Sequence, residues 1–214
     1  MTPAEKRTTT EPDSKQRILM AAVRLFARQG YGNTGLRELA KAADVNLAMI
    51  NYFFGSKKTL LKEILNTFFS GYIEVARRKL AGADPPEVKL KRFIHDAVIY
   101  FSNHSDYLLV TIAELPHDDP EITEHKAAWG RKMVETVSTL MGKPIGNSHA
   151  DEGIAPVIFC STLTSLMASR FLFTPVMEQV QPEKLQTVSI EEYAEIISKI
   201  VLQGMPAVVA MPED

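Results

Sequence analysis

From Leu60 to Ile73 apolar residues recur in neighbouring pairs, Leu60/Leu61, Ile64/Leu65, Phe68/Phe69 and Tyr72/Ile73, and Ala76 continues the row. The pairs are spaced as an α-helix with a broad apolar stripe requires, and Ser56 is placed to cap its start. No stretch sustains the alternation of a strand beyond a few positions. The expected fold class is therefore all-α.

The same period sets the other elements. Ile18, Ala21, Ala22, Leu25 and Phe26 predict a first helix, with Asp13 or Ser14 at its start and Gly30 at its end. Two short helices follow at about 36–43 and 47–53, with room between them for a tight turn only. "GADPPE" at 82–87 stops the long helix, because glycine and two prolines cannot continue it. Beyond it helices are expected at about 87–103, 106–115, 121–141, 153–172 and 190–203, about nine in all. Loops are expected at "LPHDDP", "GKPIGNSHADEG" and "TPVMEQVQPEKLQTVS". The expected organisation is a flexible tail at 1–12, a three-helix domain at 13–58, a larger helical domain at 59–206 and a tail at 207–214.

With 214 residues, 45% of them hydrophobic, the chain can bury a core without covalent staples. Cys160 is the single cysteine, which excludes an intrachain disulfide, and "MTPAEKRTTTEPDSKQR" lacks the apolar segment of a signal peptide. A reduced, cytoplasmic setting is expected. The uncharged stretch 153–169 is interrupted by Pro156 and five Ser/Thr residues and is shorter than the roughly 20 apolar residues of a bilayer span. A buried helix is expected there, and no membrane partner. The net charge of −2 conceals an asymmetry: residues 1–60 hold ten Lys/Arg against five Asp/Glu, so the basic charge is concentrated at the N-terminal end. That distribution suits a segment that meets phosphates.

Residues 36–54 satisfy the requirements of a helix-turn-helix. Ala40 supplies a small side chain where the two helices approach most closely, and Leu39, Ala43, Val45, Ile50 and Phe53 fall on inward faces, with Phe54 also assigned to the core. Asn46, Leu47, Met49, Asn51 and Tyr52 are then left on the outer face of the second helix, where a recognition helix meets base edges and phosphates. Asp44 stands at the turn position usually held by glycine; Asp tolerates a left-handed backbone better than most residues.

The run "LRELAKAADVNLAMINYFFGSKKTLLKEIL", preceded by "ILMAAVRLFARQGYGNTG", resembles the N-terminal domain of the TetR family of transcriptional regulators over about residues 14–66. "NYFFGSKKTL" is similar to the subgroup whose recognition helix reads Asn-Tyr-His-Phe-Gly-Ser-Lys, with Phe53 in place of the His. The resemblance implies that Tyr52 and Lys57 contact the phosphate backbone and that Leu47, Met49 and Asn51, with Asn46 beside them, face the major groove. Thr34 and Arg37 are further phosphate candidates. The chemistry suits these roles, since Asn bonds adenine and Leu or Met packs on a thymine methyl. By the same resemblance the expected partners are a near-palindromic double-stranded DNA operator, a second copy of the chain, and a small-molecule effector that releases a repressor from DNA.

Two segments qualify for the dimer interface: 153–173, and 190–203 with its stripe of Tyr193, Ile196, Ile197, Ile200 and Val201. The alternative is that both simply build the monomer core. Polar or aromatic residues on the apolar helices after the Pro-Pro break nominate the effector site: His95, Tyr100, His104, Trp129 and Met133, with Phe101 beside them. No positive cluster marks an anionic head group, so a mostly apolar effector is expected. No phosphate-binding glycine loop or nucleophile elbow is present; neither an enzyme nor a cofactor is expected. Two alternatives remain. One is a metal-responsive regulator using His117, Glu121 and His125; the other is a helical interaction module without sequence-specific DNA binding.

Overall fold

The computed structural model describes residues 13–113, 119–141, 155–180 and 188–209. The expected tail 1–12, most of the tail 207–214, the whole of "GKPIGNSHADEG" and His117 lie outside the described residues. Among the described residues all regular structure is helical. Nine helices lie among the described residues: α1 (Ser14–Gln29), α2 (Leu36–Ala42), α3 (Leu47–Phe54), α4 (Lys57–Leu80), α5 (Pro86–Asn103), α6 (Ser105–Ala113), α7 (Pro120–Met141), α8 (Ala155–Val180) and α9 (Ile190–Val209). The chain forms two compact units, Met1–Ile64 and Leu65–Asp214.

In the first unit α1, α2 and α3 pack on one another. Asp13 caps α1 by accepting from the Gln16 N–H at 2.8 Å, and Gly30 ends it at φ 89°. The buried face of α1 presents Ile18, Ala22 and Phe26 to Leu39 of α2 and Ile50 of α3, all essentially without solvent contact. The turn between α2 and α3 is where the sequence is unusual. Asp44 adopts φ 52°, the Val45 N–H bonds the Ala40 carbonyl at 3.0 Å and the Asp44 N–H bonds that of Lys41 at 3.2 Å. This is the six-residue closure of a helix C-terminus, with aspartate where glycine costs least.

The second unit is built on an aromatic core. Tyr72 of α4 lies 5.9 Å from Phe93 and 5.0 Å from Phe101 of α5, and Phe68 lies 5.7 Å from Phe101, centroid to centroid. α5 packs on α6, α8 and α9, and α8 also on α6, α7 and α9. Ser189 and Glu192 close α9 with a reciprocal capping box, the Ser189 N–H bonding Glu192 Oε2 at 2.7 Å and the Glu192 N–H bonding Ser189 Oγ at 3.0 Å.

Two expectations about the second unit need correction. α8 does not end at 172: it continues through Pro175 to Val180, into part of the expected loop. A proline removes one ladder bond, here that to the Phe171 carbonyl, but Val176 to Gln179 are residues a helix accepts, so it resumes beyond the interruption. With that extension α8 becomes long and apolar enough, by length and composition, to cross a membrane. Its Leu163, Met167 and Ala168 are buried inside the unit. The expected stripe on α9 also divides. Ile197 is buried and the Tyr193 hydroxyl bonds the Leu166 carbonyl at 2.6 Å, so both serve the monomer core, whereas Ile196 and Ile200 are exposed.

Candidate functional site

Two regions carry chemistry, one in each unit. In the first, Asn46 caps α3 through its own side chain, Oδ1 accepting from the Ala48 N–H at 2.9 Å. Capping fixes Asn46 at the end of the helix, with its amide exposed beside the outer face. Ile50 and Phe54 anchor α3 inward at 0% and 6% exposure. The opposite side presents Leu47 and Met49, partly exposed, with Asn51 and Tyr52 outermost. Tyr52 is 83% exposed, although a phenol ring would gain from burial. Its ring rests edge-on against Phe53 at 5.1 Å, and Phe53 is only half-buried. The expectation that Phe53 is a core aromatic is thus corrected: Phe54 fills the core position, and Phe53 supports Tyr52 from below.

Lys57 and Thr34 form one arrangement. Lys57 Nζ donates to the Thr34 carbonyl at 2.7 Å and lies 4.4 Å from the centre of the Tyr31 ring, which packs edge-on to Phe26 at 5.3 Å. The ammonium is therefore held at a defined place on the surface of the first unit by a charge-assisted hydrogen bond and a cation–π contact. Thr34 itself is 1% exposed and its hydroxyl donates to the Gly30 carbonyl at 2.9 Å. A buried hydroxyl already committed inward cannot reach a phosphate, which corrects its expected role; Thr34 holds the loop that positions Lys57. Gln29 reinforces that loop, its amide donating to Thr34 Oγ1 at 3.3 Å and to Glu38 Oε2 at 2.9 Å. No sequence pattern marks this network, because its members lie on four separate segments, α1, the loop after it, α2 and α4. Arg37 is exposed on α2.

In the second unit a cavity of about 780 Å³ opens among α4, α6, α7 and α8, within the size range of small-molecule sites. Of the residues nominated from the sequence, Trp129 and Met133 line it. Trp129 stacks on Phe69 at 5.9 Å, and its indole N–H donates to Asn66 Oδ1 at 3.0 Å. Asn66 Oδ1 also lies 2.8 Å from His125 Nε2. An indole N–H only donates, so this oxygen is the acceptor for both, and His125 carries a proton on Nε2.

The other nominated residues do not line the cavity. His95 is exposed on α5 and pairs with Asp96 at 3.0 Å. Tyr100 donates to the Phe68 carbonyl at 2.9 Å and stacks on His104 at 4.2 Å, while His104 Nδ1 meets the Tyr100 carbonyl at 2.8 Å. Burial, with Tyr107 adding to it, pushes the Tyr100 phenol up to about 12, so it remains a donor in this helix-to-helix tie. Phe101 is fully buried core. What the sequence reading missed are Phe68, Phe69 and Tyr72 of α4 and Cys160 and Thr164 of α8, all of which border the cavity. The paired apolar positions of α4 were the available signal: a stripe so wide faces more than one neighbour. Burial raises the Cys160 thiol to about 11, so it is neutral in this setting.

Among the described residues no cluster of three His, Cys, Asp or Glu is placed to hold a metal ion. His117, one of the three nominated ligands, lies outside the described residues, and His125 is turned to Asn66.

Comparison with known proteins adds family and fold. Residues 18–64 match the family model described as bacterial regulatory proteins, tetR family. Over 114 residues the chain is 32% identical to the probable HTH-type transcriptional regulator YttP of Bacillus subtilis (strain 168), covering 52% of this chain and 55% of that protein. The chain spans about half the length of the curated relatives it matches. Among solved structures it is similar to the fatty acid degradation regulator FadR from Bacillus halodurans, with TM-score 0.71 at 18% identity over 91% of this chain and 97% of that one. It is likewise similar to the TetR family transcriptional regulator PfmR from Thermus thermophilus, with TM-score 0.60 at 19% identity over 87% and 97%. The capped α3 with its exposed outer face lies within residues 18–64, the segment that matches the tetR family model, and the chain shares an all-helical fold with solved regulators.

Proposed function

We propose that this protein is a DNA-binding transcriptional regulator, a repressor that binds a near-palindromic operator as a homodimer and leaves it when a small, mostly apolar effector enters the cavity of the second unit. The observation that carries the reading is the outer face of α3, where Asn51 and an 83% exposed Tyr52 stand over a helix anchored by Ile50 and Phe54. Asn51, Leu47 and Met49 read base edges, and Tyr52, Lys57 and Arg37 meet phosphates. Residues 13–58 act as the reading domain and 59–206 as the effector and dimer domain. Dimerisation uses the unpartnered apolar side chains of α8 and α9, among them Ile158, Phe173, Val176, Ile196 and Ile200, which are about half exposed. Two α3 helices about 34–36 Å apart would enter successive major grooves, and effector binding would act by favouring another spacing.

The test is a gel-shift and footprinting series on DNA flanking the gene. A specific fragment should be retained, with affinity falling steeply as salt rises through counterion release. Asn51→Ala should relax preference at particular base pairs, whereas Lys57 substitution should weaken all sequences alike. If no fragment shifts at low salt, the reading is wrong.

A further inference from the structure

Two hydroxyls on different helices meet at the cavity. Tyr72 of α4 and Thr164 of α8 both line it, and their oxygens are 3.0 Å apart. Each hydroxyl owns one proton, and their mutual bond uses one of the two. Among the described residues neither oxygen has a second hydrogen-bond partner, so one O–H is left to donate whichever way the pair is oriented. Tyr72 is only 4% exposed, where an unsatisfied donor is costly.

The other polar groups of the lining are committed elsewhere, except the Glu135 carboxylate, which is exposed to solvent. The hydroxyl of Thr111 donates to the Tyr107 carbonyl, Ser161 to that of Ile158 and Ser165 to that of Ser161. The Trp129 N–H is held by Asn66. Two cations border the cavity, and both have partners: Lys126 donates to the Thr111 carbonyl at 3.0 Å and Arg131 pairs with Glu124. Burial raises the Tyr72 phenol, so the pair keeps its protons at neutral pH.

We infer that the effector is a neutral, mostly apolar molecule carrying one hydrogen-bond acceptor, a ketone, ester or quinone carbonyl, which takes the remaining proton of the Tyr72–Thr164 pair. This rests on the reading of the cavity as the effector site and names the chemical class that the site selects. An apolar wall with one spare donor favours a ligand whose acceptor would otherwise be buried unpaired. An anion would forfeit its hydration without gaining a cation that is not already engaged.

The experiment uses three naphthalene probes of similar size: 2-acetylnaphthalene, 2-ethylnaphthalene and 2-naphthoate. Trp129, the single tryptophan of the chain, borders the cavity and reports binding by quenching of its fluorescence. A single variant still retains one proton for the ligand, so the decisive variant is Tyr72→Phe with Thr164→Val. It should weaken the ketone about fivefold to tenfold and leave the hydrocarbon within about twofold, while Thr164→Ser binds both as the parent does. The infrared stretch of the bound acetyl carbonyl in the parent protein should lie below its value in an apolar solvent. Equal loss of ketone and hydrocarbon, tightest binding of the naphthoate, or an unshifted carbonyl stretch overturns the inference while leaving the cavity as a binding site. Failure of all three probes to quench Trp129 overturns the effector-site reading with it.

Discussion

Tyr52→Phe separates DNA contact from folding with a single oxygen atom. The ring sits 83% exposed and touches Phe53 edge-on at 5.1 Å, a contact that phenylalanine reproduces, and among the described residues the hydroxyl has no hydrogen-bond partner. Stability should therefore change by less than about 0.5 kcal/mol. If each hydroxyl donates to a phosphate oxygen, its loss removes a hydrogen bond to a charged group, about 1.5 kcal/mol per protomer. A dimer on two half-sites then loses about 3 kcal/mol, a factor of about 150 in affinity. A phenol carries no charge and displaces no counterion, so plots of log K against log salt for parent and variant should run parallel. The assay is fluorescence anisotropy on a labelled operator at several salt concentrations, with thermal unfolding measured on the same samples. Affinity unchanged within twofold would refute the phosphate assignment. A changed salt slope or a lowered melting temperature would show that the hydroxyl does something other than what its exposure implies.

Lys57→Met should behave differently on both axes: losing the bond to the Thr34 carbonyl at 2.7 Å and the contact with Tyr31 at 4.4 Å should destabilise the protein by about 1–2 kcal/mol, read by urea unfolding. The same variant should reduce the salt slope of a dimer by about two. At Asp44, whose φ is 52°, a β-branched Asp44→Val should cost about 1–2 kcal/mol, whereas Asp44→Gly should cost nothing or stabilise slightly; equal stability of the two would contradict the left-handed turn. A Cβ on Gly71 would clash with the Tyr100 hydroxyl, so Gly71→Ala should destabilise by about 1–3 kcal/mol despite better helix propensity. In a Tyr100→Ala background the sign should reverse, and chemical denaturation of the four proteins tests the coupling. Ile196→Glu with Ile200→Glu should shift sedimentation equilibrium toward monomer while the helical circular dichroism is kept, because both side chains are about half exposed.

The exposed outer face of α3 was largely legible in the sequence because it is local. Positions 36–54 lie on two short helices and one turn, so which side chains face inward follows from the helical period once Ala40 and Ile50 are placed. Asp44 was recognisable for the same reason, since a turn between helices so close together needs a left-handed residue. Phe53 and Thr34 were misjudged where the period gives no answer. Phe53 lies at the margin of the buried arc, and Thr34 is decided by a hydroxyl turning back to Gly30 and a carbonyl used by a lysine on another helix.

The cavity was legible only at Trp129 and Met133, because it is formed by four helices far apart in sequence. His95, Tyr100 and His104 are polar or aromatic residues on an apolar helix, as are true cavity residues, and only packing shows that α5 turns them to the surface or to α4. Periodicity also could not divide the α9 stripe, since Ile196 and Ile197 are both apolar and only the packing of α9 on α5 and α8 decides which is covered. Helix number, capping, breakers and the charge asymmetry depend on backbone geometry and composition within a few residues, and for that reason they can be read from the order of amino acids. Where Lys57 holds its charge, which apolar faces stay uncovered, and that Tyr72 and Thr164 meet with a proton to spare emerge only on folding, because each depends on groups from separate segments reaching hydrogen-bonding or packing distance.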